Sequence, residues 1–305
     1  MKKTILYAES TGKIKGGGQY SLYLLIKNIN KEKFNPILIL HEKGEFYELM
    51  RSLNIKIYFV KMRKLKTGNL ADVFSTSTEI LKLIKKETVS LVHTNSSRSA
   101  VYCGIAAKMA GIPMLTHIRV IQKEPVYDWI IAMLSTRIIA VSEAVRRRFS
   151  YLPDKKIRVI YNGIDVEEFR PLHTCKIKKE LGLSDSLVLL TAGNLVWHKG
   201  HEYVLRAFYE VKKEIKNVKL LVCGEGERKE YLFSLASKLG ILDDVYFLGN
   251  RDDMVEIINT SDVFLTSSFT EAFGRVICEA MACEKPVIGI KAVSYTHLTL
   301  PTTER

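Results

Sequence analysis

Val188-Leu189-Leu190-Thr191-Ala192 runs directly into Gly193-Asn194-Leu195-Val196-Trp197-His198-Lys199-Gly200, and beyond it Val204, Leu205, Phe208, Val211 and Ile215 fall on one face at helical spacing. A short apolar run, a glycine-bounded loop and an amphipathic helix read as one strand-loop-helix unit. The same alternation extends to both sides. After it, strands are predicted at Lys219 to Cys223, Val245 to Leu248, Val263 to Thr266 and Pro286 to Ile290. Before it, they are predicted at Thr4 to Ala8, Pro36 to Leu40, Ile55 to Val60, Val89 to His93, Met114 to His117, Arg137 to Val141 and Arg158 to Tyr161. Helical stretches lie between several of these, among them Tyr20 to Ile29 and Ala100 to Ala110, the latter ended by Gly111 and Pro113.

Strands alternating with helices imply parallel sheets covered on both faces. The rhythm breaks around Asn162, Gly163 and Asp165, and Arg170-Pro171 precedes a new start. The expected architecture is therefore α/β, with two Rossmann-like domains at residues 1–168 and 169–292. In such folds ligands sit at the carboxyl ends of the strands, so the loops there carry the functional reading.

The chain has 305 residues, 47% of them hydrophobic, which is enough for two separate cores and excludes general disorder. No apolar stretch is long enough to span a bilayer, and MKKTILYAES leads into a strand pattern rather than a signal peptide, so a cytosolic protein is expected. Cys103, Cys175, Cys223, Cys278 and Cys283 are scattered without zinc-ligand spacing and read as structural thiols. Charge is distributed unevenly. Residues 1–165 hold 28 lysines and arginines against 13 aspartates and glutamates, a net +15, and the remainder nets −2. Such a surface suits an anionic partner, or is simply a solvated lysine-rich face.

Three loops could hold an anionic ligand. Gly16-Gly17-Gly18, between the first strand and a helix, lets the backbone approach a phosphate; it also reads as a flexible turn. Lys199 could set its ammonium against a diphosphate, or be a solvated lysine at a helix start. In Thr270-Glu271-Ala272-Phe273-Gly274-Arg275-Val276-Ile277-Cys278-Glu279-Ala280 two carboxylates flank a helix start. Glu271 would lie in the loop and Glu279 on the helix, each able to accept hydrogen bonds from paired hydroxyls. Without context, a helix-terminus charge for Glu271 and a surface glutamate for Glu279 are the better explanation.

The order of these pieces supplies the context. Together with Thr116-His117, Ile139-Ala140-Val141-Ser142-Glu143, Ile160-Tyr161-Asn162-Gly163-Ile164-Asp165, Val222-Cys223-Gly224-Glu225-Gly226 and Phe247-Leu248-Gly249, the set resembles the retaining GT-B glycosyltransferases of family 4 over residues 3–290. The resemblance implies two domains facing across a cleft. It implies that Lys199 contacts the diphosphate of a UDP- or GDP-sugar donor, Glu271 the transferred sugar and Glu279 the ribose. Gly16, Gly17 and Gly18 would lie near the phosphates, and His117 by the sugar where the acceptor enters. His117, Lys199 and Glu271 are thus the catalytic candidates, and Asn194, Phe273, Gly274, Arg275 and Val276 join the donor-binding set. Where the family often carries an arginine beside the lysine, this chain has Asn194, for which Arg275 could compensate.

The resemblance further implies catalysis with no cofactor and no metal; Asp243-Asp244 and Asp252-Asp253 are read as capping residues instead. The acceptor would be a hydroxyl of a glycan or lipid-linked glycan on the first domain. Basic clusters at Lys61-Met62-Arg63-Lys64-Leu65-Lys66 and Arg146-Arg147-Arg148, the second beside Val145 and Phe149, could bring that domain to an anionic membrane. A nucleotide-sugar 2-epimerase shares the fold, but its acid/base carboxylates have no counterparts here. Nucleic-acid binding is suggested by charge alone, without a recognition motif, and is not expected. The segment Ser294 to Arg305 matches no family element. It is read as translated sequencing-adapter sequence beginning near Val293, which would leave the second domain truncated.

Overall fold

The computed structural model describes residues 2–14, 16–63, 70–173 and 176–290. Cys175, Lys64 to Lys66 and the segment from Val293 onward lie outside the described residues. The chain separates into two compact units, Met1–Gly163 and Ile164 onward, and the change falls inside the stretch where the sequence rhythm breaks.

The first unit runs β1 (Lys3–Glu9), α1 (Gly17–Lys27), β2 (Phe34–Leu40), α2 (Glu45–Arg51), β3 (Lys56–Phe59), α3 (Leu70–Lys86), β4 (Val89–Thr94), α4 (Ser97–Ala110), β5 (Met114–Ile118), α5 (Pro125–Leu134), β6 (Arg137–Ala140), α6 (Glu143–Arg146) and β7 (Ile157–Val159). Its seven strands lie in the order β3-β2-β1-β4-β5-β6-β7, and every pairing is parallel. Strand β1 shows why the apolar runs are continuous rather than alternating. Leu6 and Ala8 face α3 and α4, packing with Ile80, Ile84, Val101 and Tyr102. Ile5 and Tyr7 face the other way, onto Leu22, Ile26, Phe46 and Met50 of α1 and α2. Helices on both faces leave no solvated side, so the central positions Ile5 to Ala8 are all apolar. Helix α4 begins at a capping box in which Ser96 and Ser99 exchange hydrogen bonds, and it ends at Gly111 in the left-handed conformation, as its sequence predicts. Helix α1 starts three residues before the predicted Tyr20, drawing the glycine loop into its first turn. Pro36 is accommodated in β2 because pairing with β3 begins only at Ile37, so no amide is missing on that side.

The second unit runs α7 (Lys176–Glu180), β8 (Leu187–Ala192), α8 (His201–Glu214), β9 (Val218–Cys223), α9 (Lys229–Lys238), β10 (Val245–Gly249), α10 (Met254–Thr260), β11 (Val263–Thr266), α11 (Arg275–Ala282) and β12 (Val287–Gly289). The described strands form one parallel sheet in the order β10-β9-β8-β11-β12. Val188 and Leu190 of β8 face α10 and α11 through Ile257, Ile258, Ile277 and Ala280. Leu189 faces α8 and α9 through Val204, Leu205, Phe208 and Leu232. Burying one such leucine contributes about 2 kcal/mol. Helix α8 stops at Glu214, one residue before the predicted Ile215, which is extended and leads into the turn before β9. Among the described cysteines, Cys103, Cys223 and Cys283 are buried, and burial pushes the Cys103 and Cys223 thiols to about 12. No helix among the described residues is long and apolar enough to cross a membrane.

Candidate functional site

Each sheet reverses its winding direction once, and each reversal is occupied by residues singled out from sequence. In the second unit β9 lies on one side of β8 and β11 on the other. The loops leaving β8 and β11 therefore diverge from a common crevice, the place where doubly wound sheets bind ligands. After β8, Trp197-His198-Lys199 make one turn of 3₁₀ helix closed by Gly200, which is left-handed at φ +67°. After β11, Ser267 donates its hydroxyl to the carbonyls of Gly200 at 2.7 Å and Lys199 at 3.1 Å. The Phe269 amide donates to the His198 carbonyl at 2.9 Å. The Phe269 ring packs against Trp197 and, edge-on, against Tyr203, with centroids 5.6 and 5.2 Å away. A Cβ on Gly200 would stand 2.3 Å from the Ser267 carbonyl oxygen, so glycine is what lets the loops meet.

This clamp brings together two side chains 72 residues apart: Lys199 donates from Nζ to Glu271 Oε2 in a partly buried ion pair. Asn194 is exposed in the loop leaving β8. His201, the first residue of α8, lies buried beneath, with Nδ1 3.4 Å from Thr191 Oγ1. Burial, reinforced by the charge of Lys199, lowers its pKa to about 4, so its ring is neutral at physiological pH. The sequence reading missed Ser267, Phe269 and His201. For Ser267 and Phe269 the signal that could have found them is their place just past the end of β11, and for His201 its place at the start of the helix that follows the β8 loop.

Beyond Glu271 the chain passes Phe273, buried, and Gly274, left-handed at φ +83°, which starts α11. Val276 packs against the core. Glu279 is not a surface glutamate. It is 9% exposed, on the inward face of α11, and accepts from Arg275 Nη2 at 2.6 Å. Burial raises its pKa and the Arg275 charge partly opposes that rise. Arg275 is thus engaged by Glu279 one helical turn along its own helix.

In the first unit the reversal lies between β1 and β4. The glycine loop and His117 meet here, joined through Arg119 and Asn95, which the sequence reading did not single out. Arg119, two residues past His117, donates from Nε to Asn95 Oδ1 and from Nη1 to Asn162 Oδ1, both at 2.6 Å. Its Nη2 stands 3.1 Å from His117 Nδ1. Asn95 in turn donates to the buried Glu9 carboxylate at 2.7 Å and to the Gly18 carbonyl at 3.3 Å. A Cβ on Gly18 would come within 3.1 Å of Arg119 Cδ, so the glycine admits the arginine.

Two expectations need correction. The Arg146-Arg147-Arg148 run is not a continuous cationic patch, because its 3₁₀ turn sends the side chains in different directions. Arg148 is buried, its Nε 2.9 and 3.0 Å from the two Asp128 carboxylate oxygens, with Glu124 3.2 Å from Nη2. Arg146 pairs with Asp154, and Val145 and Phe149 are core residues. In the other cluster Met62 is buried and Arg63 pairs with Asp72 at 3.1 Å. The paired aspartates do not cap helices with their side chains either. Asp244 pairs with Lys219 at 2.6 Å and Lys212 at 2.9 Å, and Asp253, at the start of α10, binds Arg251 at 2.6 Å. Among the described residues no three His, Cys, Asp or Glu side chains cluster as a metal site would require.

Comparison with known proteins identifies the family. The family profile described as Glycosyltransferase Family 4 matches residues 15–168, and that described as Glycosyl transferases group 1 matches residues 174–299. An uncharacterized glycosyltransferase of Methanocaldococcus jannaschii is 34% identical over half of this chain, and the match spans 42% of that protein. N-acetyl-alpha-D-glucosaminyl L-malate synthase of Bacillus anthracis is 30% identical over 70% of this chain and 60% of its own length. The Escherichia coli UDP-Gal:alpha-D-GlcNAc-diphosphoundecaprenol alpha-1,3-galactosyltransferase is 28% identical over 84% of this chain and 71% of its own. Among solved structures, Anabaena HepE in complex with UDP-glucose has the same fold, with a TM-score of 0.84 at 23% identity, over 97% of this chain and 83% of that one.

Proposed function

The chain belongs to glycosyltransferase family 4, the group 1 glycosyltransferases, and on that premise we propose that it moves a sugar from a UDP- or GDP-sugar to a hydroxyl of a glycan or lipid-linked acceptor, with retention of anomeric configuration. The observation that carries the proposal is the Lys199–Glu271 pair, held by two loops at the winding reversal of the second sheet. A cation and a carboxylate side by side suit the two ends of a sugar diphosphate. Lys199 faces the diphosphate oxygens, and Glu271 accepts hydrogen bonds from sugar hydroxyls.

In the reaction the bond between the anomeric carbon and the diphosphate oxygen breaks, its electron pair leaving with the nucleoside diphosphate. The acceptor oxygen bonds to the same face of the sugar, and its proton passes to the departing phosphate. Lys199 stabilises the charge that appears on the leaving group. Glu279, with its charge balanced by Arg275, accepts from ribose hydroxyls. No resident metal is part of this chemistry, so turnover should survive chelation by EDTA; its loss on chelation would remove that element of the proposal.

For a lipid-linked acceptor, the enzyme works from the cytoplasm at an anionic membrane. The relevant surface is α5 rather than the arginine run. Val126, Trp129 and Met133 are exposed along one face of that helix, at 73%, 62% and 48%, in the half of the chain that carries the positive charge. Trp129 fluorescence should shift to the blue with phosphatidylglycerol vesicles and not with neutral ones; no shift with either refutes membrane docking. The transferase reading itself is tested by a panel of UDP- and GDP-sugars with released nucleoside diphosphate as readout. Release that requires both donor and acceptor and vanishes in Lys199→Met supports it. Interconversion of the donor without release would instead indicate an epimerase.

A further inference from the structure

Three neighbouring parallel strands of the first sheet place aromatic rings in one row. The Tyr7 ring of β1 lies 5.2 Å from the His93 ring of β4, and His93 lies 5.7 Å from His117 of β5. Both histidines are more than nine-tenths buried, and their Nε2 atoms have no hydrogen-bond partner among the described residues. The groups facing His117 are few. Arg119 comes from the end of its own strand, His93 from β4, with Tyr7 behind it, and β6 pairs it with Ile139. The Glu9 carboxylate reaches this cluster only through Asn95 and Arg119.

The chemistry of Arg119 then decides the proton on His117. A guanidinium carries donors only, so the Nη2 contact at 3.1 Å requires His117 Nδ1 to accept. A neutral imidazole accepting at Nδ1 must carry its hydrogen on Nε2. Arg119 cannot turn away, because Asn95 and Asn162 hold its Nε and Nη1. Asn95 is itself oriented, its amide nitrogen bound by the buried Glu9 and its oxygen left for the guanidinium. Burial and the adjacent guanidinium and His93 all oppose a second proton, which keeps the ring neutral through the working pH range.

We propose that Arg119 is a positioning residue that locks His117 as the neutral Nε2–H tautomer, so that His117 donates a hydrogen bond to a substrate oxygen and takes no proton from it. The identity of that oxygen, a hydroxyl of the transferred sugar or of the acceptor, rests on the transferase reading; the tautomer does not. A histidine in this role serves orientation and charge stabilisation, and it adds no ionisation to the rate profile near neutrality.

The test labels the histidine imidazoles with nitrogen-15 in the full chain and records long-range proton–nitrogen spectra from pH 5.5 to 8, with His117→Gln providing the assignment. The expected His117 pattern is a protonated Nε2 and an unprotonated Nδ1 that do not change with pH. In Arg119→Met the Nδ1–H form should appear, and kcat should fall about 10- to 100-fold with the donor KM little changed. Arg119→Lys, which keeps a charged donor, should restore the Nε2–H pattern and part of kcat. A wild-type His117 protonated on Nδ1, or doubly protonated at pH 7, overturns the proposal whether or not any variant folds. An unchanged tautomer in Arg119→Met overturns it equally. Should every donor prove inactive while the wild-type spectrum and its response to Arg119 are as expected, the transferase reading fails and the tautomer assignment stands.

Discussion

Replacing Gly200 by alanine separates the function of the loop clamp from the ordinary cost of a left-handed alanine, because Gly182 offers a matched control. Both glycines have φ +67°, but nothing lies within 4 Å of a Cβ on Gly182, whereas a Cβ on Gly200 would meet the Ser267 carbonyl oxygen at 2.3 Å. The left-handed conformation costs either alanine about 1–2 kcal/mol, so that part cancels between the two variants. What remains for Gly200→Ala is relief of the overlap, by moving the β8 and β11 loops apart by about 1 Å. Such a shift breaks the two hydrogen bonds from Ser267 Oγ and the one from the Phe269 amide. At about 1 kcal/mol each, Gly200→Ala should be less stable than Gly182→Ala by about 3 kcal/mol. The chain has two tryptophans, Trp129 in the first unit and Trp197 in the second. In a Trp129→Phe background, urea unfolding followed by fluorescence therefore reports on the second unit. Equal unfolding free energies for the two variants would show that the clamp does not hold the loops, and with it the argument for how Lys199 and Glu271 are brought together would fail.

Lys199→Met should lower kcat by about 100- to 1000-fold, the usual cost of losing one preorganised group that stabilises leaving charge, with the fold intact by circular dichroism. Arg148→Met strands the buried Asp128 carboxylate and should destabilise the first unit by about 3–5 kcal/mol, measured by urea unfolding in a Trp197→Phe background with Trp129 as the probe. Acid should weaken the second unit through His201. Its folded pKa of about 4 lies below the ordinary 6.5, so the unfolded state takes the proton first. The contribution of the neutral ring is complete above pH 6.5 and falls away toward pH 4, by about 3 kcal/mol. His201→Gln should flatten that slope, and a slope unchanged by the substitution would contradict the assignment.

The sheets were legible in the sequence because strands buried on both faces announce themselves as unbroken apolar runs, as in Leu187 to Leu190. Helices with capping signals, such as α4 with Gly111, were legible as well. Helix α5 was harder to read, since Val126, Trp129 and Met133 are apolar but exposed and mask the inner stripe of Tyr127, Ile130, Ile131 and Leu134. Lys199 and Glu271 could be named one at a time, but their pairing follows from β11 lying beside β8, a fact of strand order that spacing does not carry. Arg119 illustrates the same limit. Its partners Asn95 and Asn162 stand 24 and 43 residues away, and only the parallel sheet collects them at one strand end. Three adjacent arginines look alike in sequence; Arg148 became a buried ion-pair partner because the 3₁₀ turn points it at Asp128.

Calorimetric titration of UDP and of GDP into the protein and into Lys199→Met tests the central claim most directly. One of the two nucleotides should bind the parent at a single site, and the substitution should weaken it at least about tenfold, the equivalent of 1.4 kcal/mol. Failure of the parent to bind either nucleotide, or equal affinity in Lys199→Met, would contradict a donor site at the junction of β8 and β11.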